Sequence, residues 1–368
     1  MTRFWVGGYG SDQGGDAEGI GLLAVDEGRG ASTLAYRGLA APIASPSWLA
    51  QHPSLDVVYA AQEGAGTVQA FARSGEATLR PLGPALAAGE IVCHLSVSLD
   101  RRMLIASCYG DGRVVRYGIA DDGHLVEPAP DKAAALRAAL FGTRDPADLE
   151  ASESSGGSPA SDPYPTPMGA EPRVSRAHAS VFLPDGRIAT TDLGFDLVRI
   201  WRHDLTLDHE VVLPRGTGPR HMVLHPSGHL HVVTEYSCEV FTLASARDGT
   251  WGLVSATPAA EIAQIGFDFA AELTRSRDGE TLYTALRGSN TIAALRVRGA
   301  GEVLEPLALA DSGVNWPRHH LVYDGTLLVA GQKSNTISVL DLDERTGAPQ
   351  DVRHIATAPS PSHLLPVR

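Results

Sequence analysis

Arg220, His221 and Glu235 frame one short stretch, Gly218 to Glu235, which reads GPRHMVLHPSGHLHVVTE. A guanidinium and an imidazole open an apolar run, Pro226-Ser227-Gly228 supplies turn chemistry, and a second apolar run ends on a carboxylate. A β-hairpin of this length returns Glu235 to the sheet end from which Arg220 started. The arginine fork suits bidentate binding of a carboxylate or phosphate. An imidazole and a carboxylate side by side suit proton transfer near neutral pH. Together they point to acid–base chemistry on an anionic small molecule.

Such a hairpin needs neighbours, and the chain supplies them by repetition. SPSWLAQHPSLDVVYAAQE, CHLSVSLDRRMLIASCY, AHASVFLPDGRIATTDLG, AAELTRSRDGETLYTALRG and WPRHHLVYDGTLLVAGQ all share its plan. Each is followed by a further apolar strand such as TVQAFAR, DLVRIWRH or NTISVLDL, and the joints hold a possible fourth such as HEVVLPRG. His178 to His221 is 43 residues, and Arg220 to Arg318 is 98, two repeats of 49. Four strands in that length are a propeller blade. Six repeats run from about Ser45 to Ala356, and SPSHLLPVR at the end completes a seventh with the strand-like start Arg3 to Tyr9. The expected fold is all-β, a seven-bladed β-propeller over residues 1–368, closed by N- and C-terminal strands in one blade.

In a propeller the innermost strands start at one mouth of a central channel, and residues 14 or 15 positions later have returned to it. The first ring then holds Trp48, His94, His178, Arg220 with His221, and Arg318 with His319. The return ring holds Glu63, Tyr109, Asp192, Glu235, Arg287 and Gln332. Several cations against few carboxylates leave spare positive charge, which an anionic ligand completes. His52, His124, His203, His209, His225, His229, His231 and His354 fall in turns or on alternating strand faces and are assigned to surface or structure.

Composition narrows the alternatives. A formal net charge of −13 argues against a nucleic-acid surface. No apolar run approaches a membrane span, and MTRFWVGGYG turns to Gly and Asp too early for a signal peptide. Cys93, Cys108 and Cys238 are odd in number and widely spaced, so neither a disulfide framework nor a thiolate metal site is expected, and a reducing cytoplasm fits. Nucleophile-elbow, zinc-protease, P-loop and dinucleotide-binding motifs are missing, so no cofactor is expected and metal-free chemistry is favoured. The pattern breaks at residues 126–173, where EASESSGGSPASDPYPTPMG reads as a flexible insertion between blades, with a lid over the pocket as the alternative and DKAAALRAALFG as its helical candidate.

GPRH with HP-x-G and a following glutamate, PSWLAQHPS, TDLGFD, LRGSNTI and PRHHLVYDGTLLVAGQKSNTISV together resemble the propeller lactonase family. That family includes cycloisomerase-2-type 6-phosphogluconolactonases and carboxy-cis,cis-muconate lactonizing enzymes. The resemblance covers nearly the whole chain outside the insertion and implies a metal-independent propeller acting on lactones or their acids. By motif it assigns catalysis to His178, Arg220, Glu235 and Arg287. Arg176 stands where many members have histidine, and Thr234 and Leu286 replace asparagines of the family's motifs, which bears on substrate choice.

The expected reaction is ring opening of a sugar-phosphate or carboxylated lactone, with Arg220 and Arg287 clamping negative charge, His178 as base and Glu235 as acid. His94, His221, Arg318, Gln332, Tyr109, Asp192 and Arg176 are the expected substrate-binding residues. A lactonizing cycloisomerase and a non-catalytic metabolite-binding propeller are the alternatives. The partner is a small anionic lactone or its acid, and the chain is expected to be a monomer or weak homo-oligomer.

Overall fold

The computed structural model describes residues 2–26, 33–127, 161–166 and 170–368. Seven antiparallel sheets form, each with a four-stranded path. Their innermost strands are Pro46–Gln51, Val92–Val97, Ala177–Phe182, Pro219–Leu224, Phe269–Arg275, Pro317–Tyr323 and Pro361–Pro366, which define blades 1 to 7 in that order. In blade 7 the C-terminal strand is innermost and Arg3–Gly8, Gly19–Asp26 and Thr33–Pro42 lie outside it. Val6 pairs with Leu364 and Phe4 with Pro366, so the two ends of the chain close the ring. The joints expected as possible strands are the outer strands Leu79–Pro81, Leu207–Val212 and Val303–Asp311.

Alternation decides which side chains hold the blades together. Middle strands such as Val57–Gln62 and Met103–Cys108 are buried on both faces, because each sheet is covered by a neighbour on either side. Leu230, Val232, Phe241 and Leu243 of blade 4 pack on Ala189, Val198 and Ile200 of blade 3. Phe4, Leu23 and Leu364 of blade 7 pack on Leu328, Ile337 and Val339 of blade 6. Each such large side chain contributes about 2 kcal/mol on burial, and tyrosines add fixed links. The Tyr59 hydroxyl donates to Gly123 O of blade 2 at 2.9 Å, and that of Tyr283 donates to Gly347 O of blade 6 at 2.7 Å.

Two backbone features recur where the inner strands meet the mouth. The residue before the innermost strand has positive φ in five blades: Ser45 (37°), Ile91 (54°), Gly218 (67°), Trp316 (64°) and Ser360 (36°). The register then shifts within the innermost hairpin of every blade, as between Pro219 and His221 or Pro317 and His319. A bulge of this kind places two residues of one strand opposite one of its partner. Two consecutive side chains can therefore turn toward the channel.

The helix expected at DKAAALRAALFG lies outside the described residues, as does most of the insertion. Its described end bonds to blade 3. Arg173 donates to Asp162 at 2.9 Å and pairs with buried Asp196, and the Tyr164 hydroxyl donates to Leu213 O at 2.6 Å. Val126 itself belongs to the outermost strand of blade 2.

Candidate active site

The bulges sort the channel into two layers. The second residue of each inner strand gives Ser47, Cys93, His178, Arg220, Arg318 and Ser362, with Ala271 at the corresponding place in blade 5. Above these, one residue past the paired end of the second strand, stand Tyr9, Glu63, Tyr109, Glu235 and Gln332, with Leu193 from blade 3; in blade 5 Arg287 follows Leu286, the partner of Ala270, and itself ends the pairing opposite Phe269. The next inner-strand position gives a lower layer: Trp48, His94, His221, Glu272, His319 and His363. Sequence register found most of both layers.

At the centre of the upper layer sits Glu235. Its Oε2 is 2.9 Å from Arg220 Nε and 2.9 Å from Arg287 Nη2. The Arg220 N–H is not aligned as a hydrogen bond to any group, so that contact is an ion pair with donor capacity to spare. Arg287 is fixed further by donating from Nε to Phe269 O and from Nη2 to Ala270 O, each at 3.1 Å. Two glycines make the approach possible. At Gly218 a Cβ would lie 2.6 Å from the Tyr236 ring, and at Gly288 it would lie 2.2 Å from Phe267 O, both at positive φ.

Arg318 completes the cationic set. Its guanidinium lies 4.8 Å over the Tyr9 ring and donates to Gln332 Oε1 at 3.4 Å, while the Tyr9 hydroxyl donates to Glu63 at 3.0 Å. Arg318 has no ion pair among the described residues. On the opposite side Arg176 lies 4.6 Å over the Tyr109 ring, and Tyr109 meets His178 edge to face at 6.1 Å. His178 is buried, and its Nδ1 has no hydrogen-bond partner among the described residues.

Electrostatics follow from this crowding. Burial would raise the Glu235 carboxyl, but the guanidiniums of Arg287, Arg220 and Arg318 outweigh it and hold the carboxyl below its usual range. Burial pulls Arg287 down to about 10, against the opposing pull of Glu235. Burial, with Arg220 next, pushes His178 well below an ordinary imidazole. His178 is therefore neutral, as a base must be. Glu235 is ionised, which does not suit the acid role expected for it.

The lower layer is a floor. Trp48 contacts His363 at 4.2 Å, His94 at 4.4 Å and, across the channel, His221 at 5.5 Å between ring centroids. His319 and His363 meet at 4.0 Å. Glu272 Oε2 lies 3.2 Å from His319 Nε2, and Leu364 N donates to His319 Nδ1 at 3.3 Å, which leaves the ring proton on Nε2. Burial holds Glu272 well above a usual carboxyl and His319 well below a usual imidazole, so the pair is neutral. His94 and His221, expected to bind substrate, instead belong to this floor beneath the arginines. Among the described residues no group of three or more His, Cys, Asp or Glu side chains is placed to hold a metal ion.

Asp192 needs a correction. It pairs with Ala177, which makes it the counterpart of Thr234 and not of Glu235. A one-residue difference in register sends a strand side chain to the other face. Asp192 is fully buried within blade 3, where its carboxylate takes Arg199 Nη1 at 2.6 Å, Arg176 N and Phe195 N at 2.9 Å, and the Ser175 hydroxyl. It holds the blade and does not line the funnel. Tyr9, Glu272 and His363 were missed. Aligning AAELTRSRDG with PRHMVLHPSG places Glu272 opposite His221, but that blade lacks the proline or histidine that marked the others.

Fold and site together define a seven-bladed propeller with a cationic funnel, closed below by aromatic rings, at one mouth of its channel. The chain belongs to the lactonase family of seven-bladed β-propellers, matching it over residues 3–366. It is 24% identical to a 6-phosphogluconolactonase of Bacillus subtilis over 363 residues, 94% of this chain and 93% of that protein. In structure it is similar to a protein from Lactobacillus plantarum (TM-score 0.81, 22% identity, 100% of both chains). It is also similar to a periplasmic gluconolactonase of Pseudomonas aeruginosa (TM-score 0.78, 22% identity, 100% of this chain and 99% of that one).

Proposed function

We propose that the protein hydrolyses a lactone bearing an anionic group, in the manner of a 6-phosphogluconolactonase, using acid–base chemistry of its own side chains. The observation that carries this reading is the Arg220–Glu235–Arg287 cluster, with Arg318 and neutral His178 beside it in the same funnel. Glu235 holds two guanidiniums ready for charge that develops on the lactone oxygens, and such preorganised donors are each worth about 10²–10³-fold in rate.

His178 takes a proton from water as the water oxygen adds to the lactone carbonyl carbon. When the ring C–O bond breaks, the imidazolium returns that proton to the departing alkoxide, and the product is the hydroxy acid. An imidazolium pressed down by burial and by Arg220 is a strong acid and gives its proton up readily. The depressed pKa weakens the first step, and the negative charge of bound substrate offsets part of the field of Arg220 and Arg318.

Parallel assays with a phosphorylated sugar lactone and a carboxymuconate test this. Turnover of the lactone to its acid supports hydrolysis, turnover of only the muconate overturns it, and tight binding without turnover of either makes the propeller a binding protein. We further assign the activity to the cytoplasm, on the three free thiols Cys93, Cys108 and Cys238, which subcellular fractionation tests.

A further inference from the structure

Trp316 is an unusual residue for its place. It precedes an innermost strand where Ser45, Ile91, Gly218 and Ser360 do the same for their blades, and it holds φ at 64°. A large non-glycine residue in the left-handed region is strained by about 1–2 kcal/mol. The hydrogen bond from Trp316 N to Asn290 Oδ1 at 2.8 Å fixes it there. Ile91 shares the strain in blade 2, and what sets Trp316 apart is the aromatic face it holds at the site mouth.

Two cations lie against the indole. Arg287 Cζ, from the Glu235 cluster, is 5.4 Å from the ring centroid, and Lys333 Nζ is 3.4 Å from it. The chain has only two lysines, Lys132 and Lys333, and Lys132 lies outside the described residues. Lys333 is exposed, and its ammonium has neither an ion pair nor a hydrogen bond among the described residues. Trp316 therefore carries a cation with three free donors at a fixed step outside the arginine cluster. The ring attracts the ammonium without neutralising it.

We propose that Lys333, positioned by Trp316, binds the anionic substituent of the substrate remote from the lactone carbonyl, and so sets the preference for charged over uncharged lactones. This rests on the lactonase reading, with the carbonyl at Arg220 and Arg287 and the substituent reaching outward past Trp316. A phosphate monoester and a carboxylate share the required chemistry, and both are tested.

The experiment compares kcat/KM of wild type, Lys333→Met and Lys333→Glu on glucono-1,5-lactone, its 6-phosphate and the corresponding 6-carboxylate. An exposed charge contact of this type is worth about fivefold. Lys333→Met should cut the preference for the charged over the uncharged lactone by about that factor, and Lys333→Glu should cut it further. A larger loss for the phosphate than for the carboxylate identifies a phosphate site, and the reverse a carboxylate site. An unchanged ratio in both variants overturns the proposal, as does a ratio that falls only with Arg176→Met on the facing side of the funnel. If wild type hydrolyses none of the three, the lactonase reading fails. The affinity ratio of 6-phosphogluconate to gluconate, measured by calorimetry on wild type and Lys333→Met, then still decides on Lys333.

Discussion

Glu235→Gln removes one negative charge and keeps the shape of the side chain. Both guanidiniums sit 2.9 Å from the same carboxylate oxygen, and all three side chains are largely shielded, at 6%, 6% and 16% exposure. With charge centres about 4 Å apart and an effective dielectric near 20, each pair attracts by about 4 kcal/mol before desolvation is counted. Leaving such cations unpaired typically costs about 3–5 kcal/mol. We expect the lower end, about 3 kcal/mol, because the amide oxygen still accepts from Arg287. For a chain of 368 residues this lowers Tm by about 4 °C. The functional effect is separate in kind. Two guanidiniums freed from their anchor should bind the hydroxy-acid product at least as tightly as wild type, while kcat/KM falls about 10²–10³-fold because the donors are no longer aligned on the developing oxyanion. Scanning calorimetry, product titration and lactone turnover read the three quantities. A lowered Tm with turnover per folded molecule intact would make Glu235 a structural counter-ion and refute the reasoning.

Further expectations follow from the floor and from blade 3. His94, His178, His221, His231, His319, His320 and His363 all sit below an ordinary imidazole, chiefly through burial, and stay neutral in the fold where the unfolded chain takes up protons. Each then costs stability as pH falls below about 6.5, by about 1.4 kcal/mol per unit. Tm should drop steeply from pH 7 to pH 5 in calorimetry, and a flat profile would contradict the buried floor. Glu272 has the opposite sign, since its carboxyl is raised by burial and its contribution is full below about pH 4.5 and lost as pH rises. Glu272→Gln should therefore raise Tm at pH 8 and lose that gain toward pH 4.5. Asp192→Asn should destabilise by about 2 kcal/mol, because Arg199 keeps Glu210 at 3.0 Å but loses the charge-assisted bond to Asp192, with kcat/KM per folded molecule retained. Activity lost without loss of stability would return Asp192 to the funnel.

Much of this was legible in the chain because a propeller repeats its physics. Proline or histidine at the entry and a Pro/Asp/Ser/Gly turn mark most blades, and hairpin length returns Glu235, Arg287 and Gln332 to the mouth where Arg220 and Arg318 begin. The bulges were not legible, because no residue type announces them. They decide that Arg220 and His221, adjacent in sequence, both turn to the channel, one into the cluster and one into the floor. The same one-residue difference separates Glu235 from Asp192, whose spacing from the inner strand looked alike. Charge state was illegible too. That Glu235 is ionised and Glu272 is not depends on which guanidiniums come near each, and only three-dimensional packing settles that.

The central claim is that the arginine funnel receives the substrate's carboxyl carbon, and a structure determined with the hydroxy-acid product bound tests it most directly. The product carboxylate should lie within hydrogen-bonding distance of Arg220 and Arg287, with His178 within reach of the same carbon through one water. Product bound at the opposite mouth, or on the outer face of a blade with the Arg220–Glu235–Arg287 cluster untouched, would contradict the account.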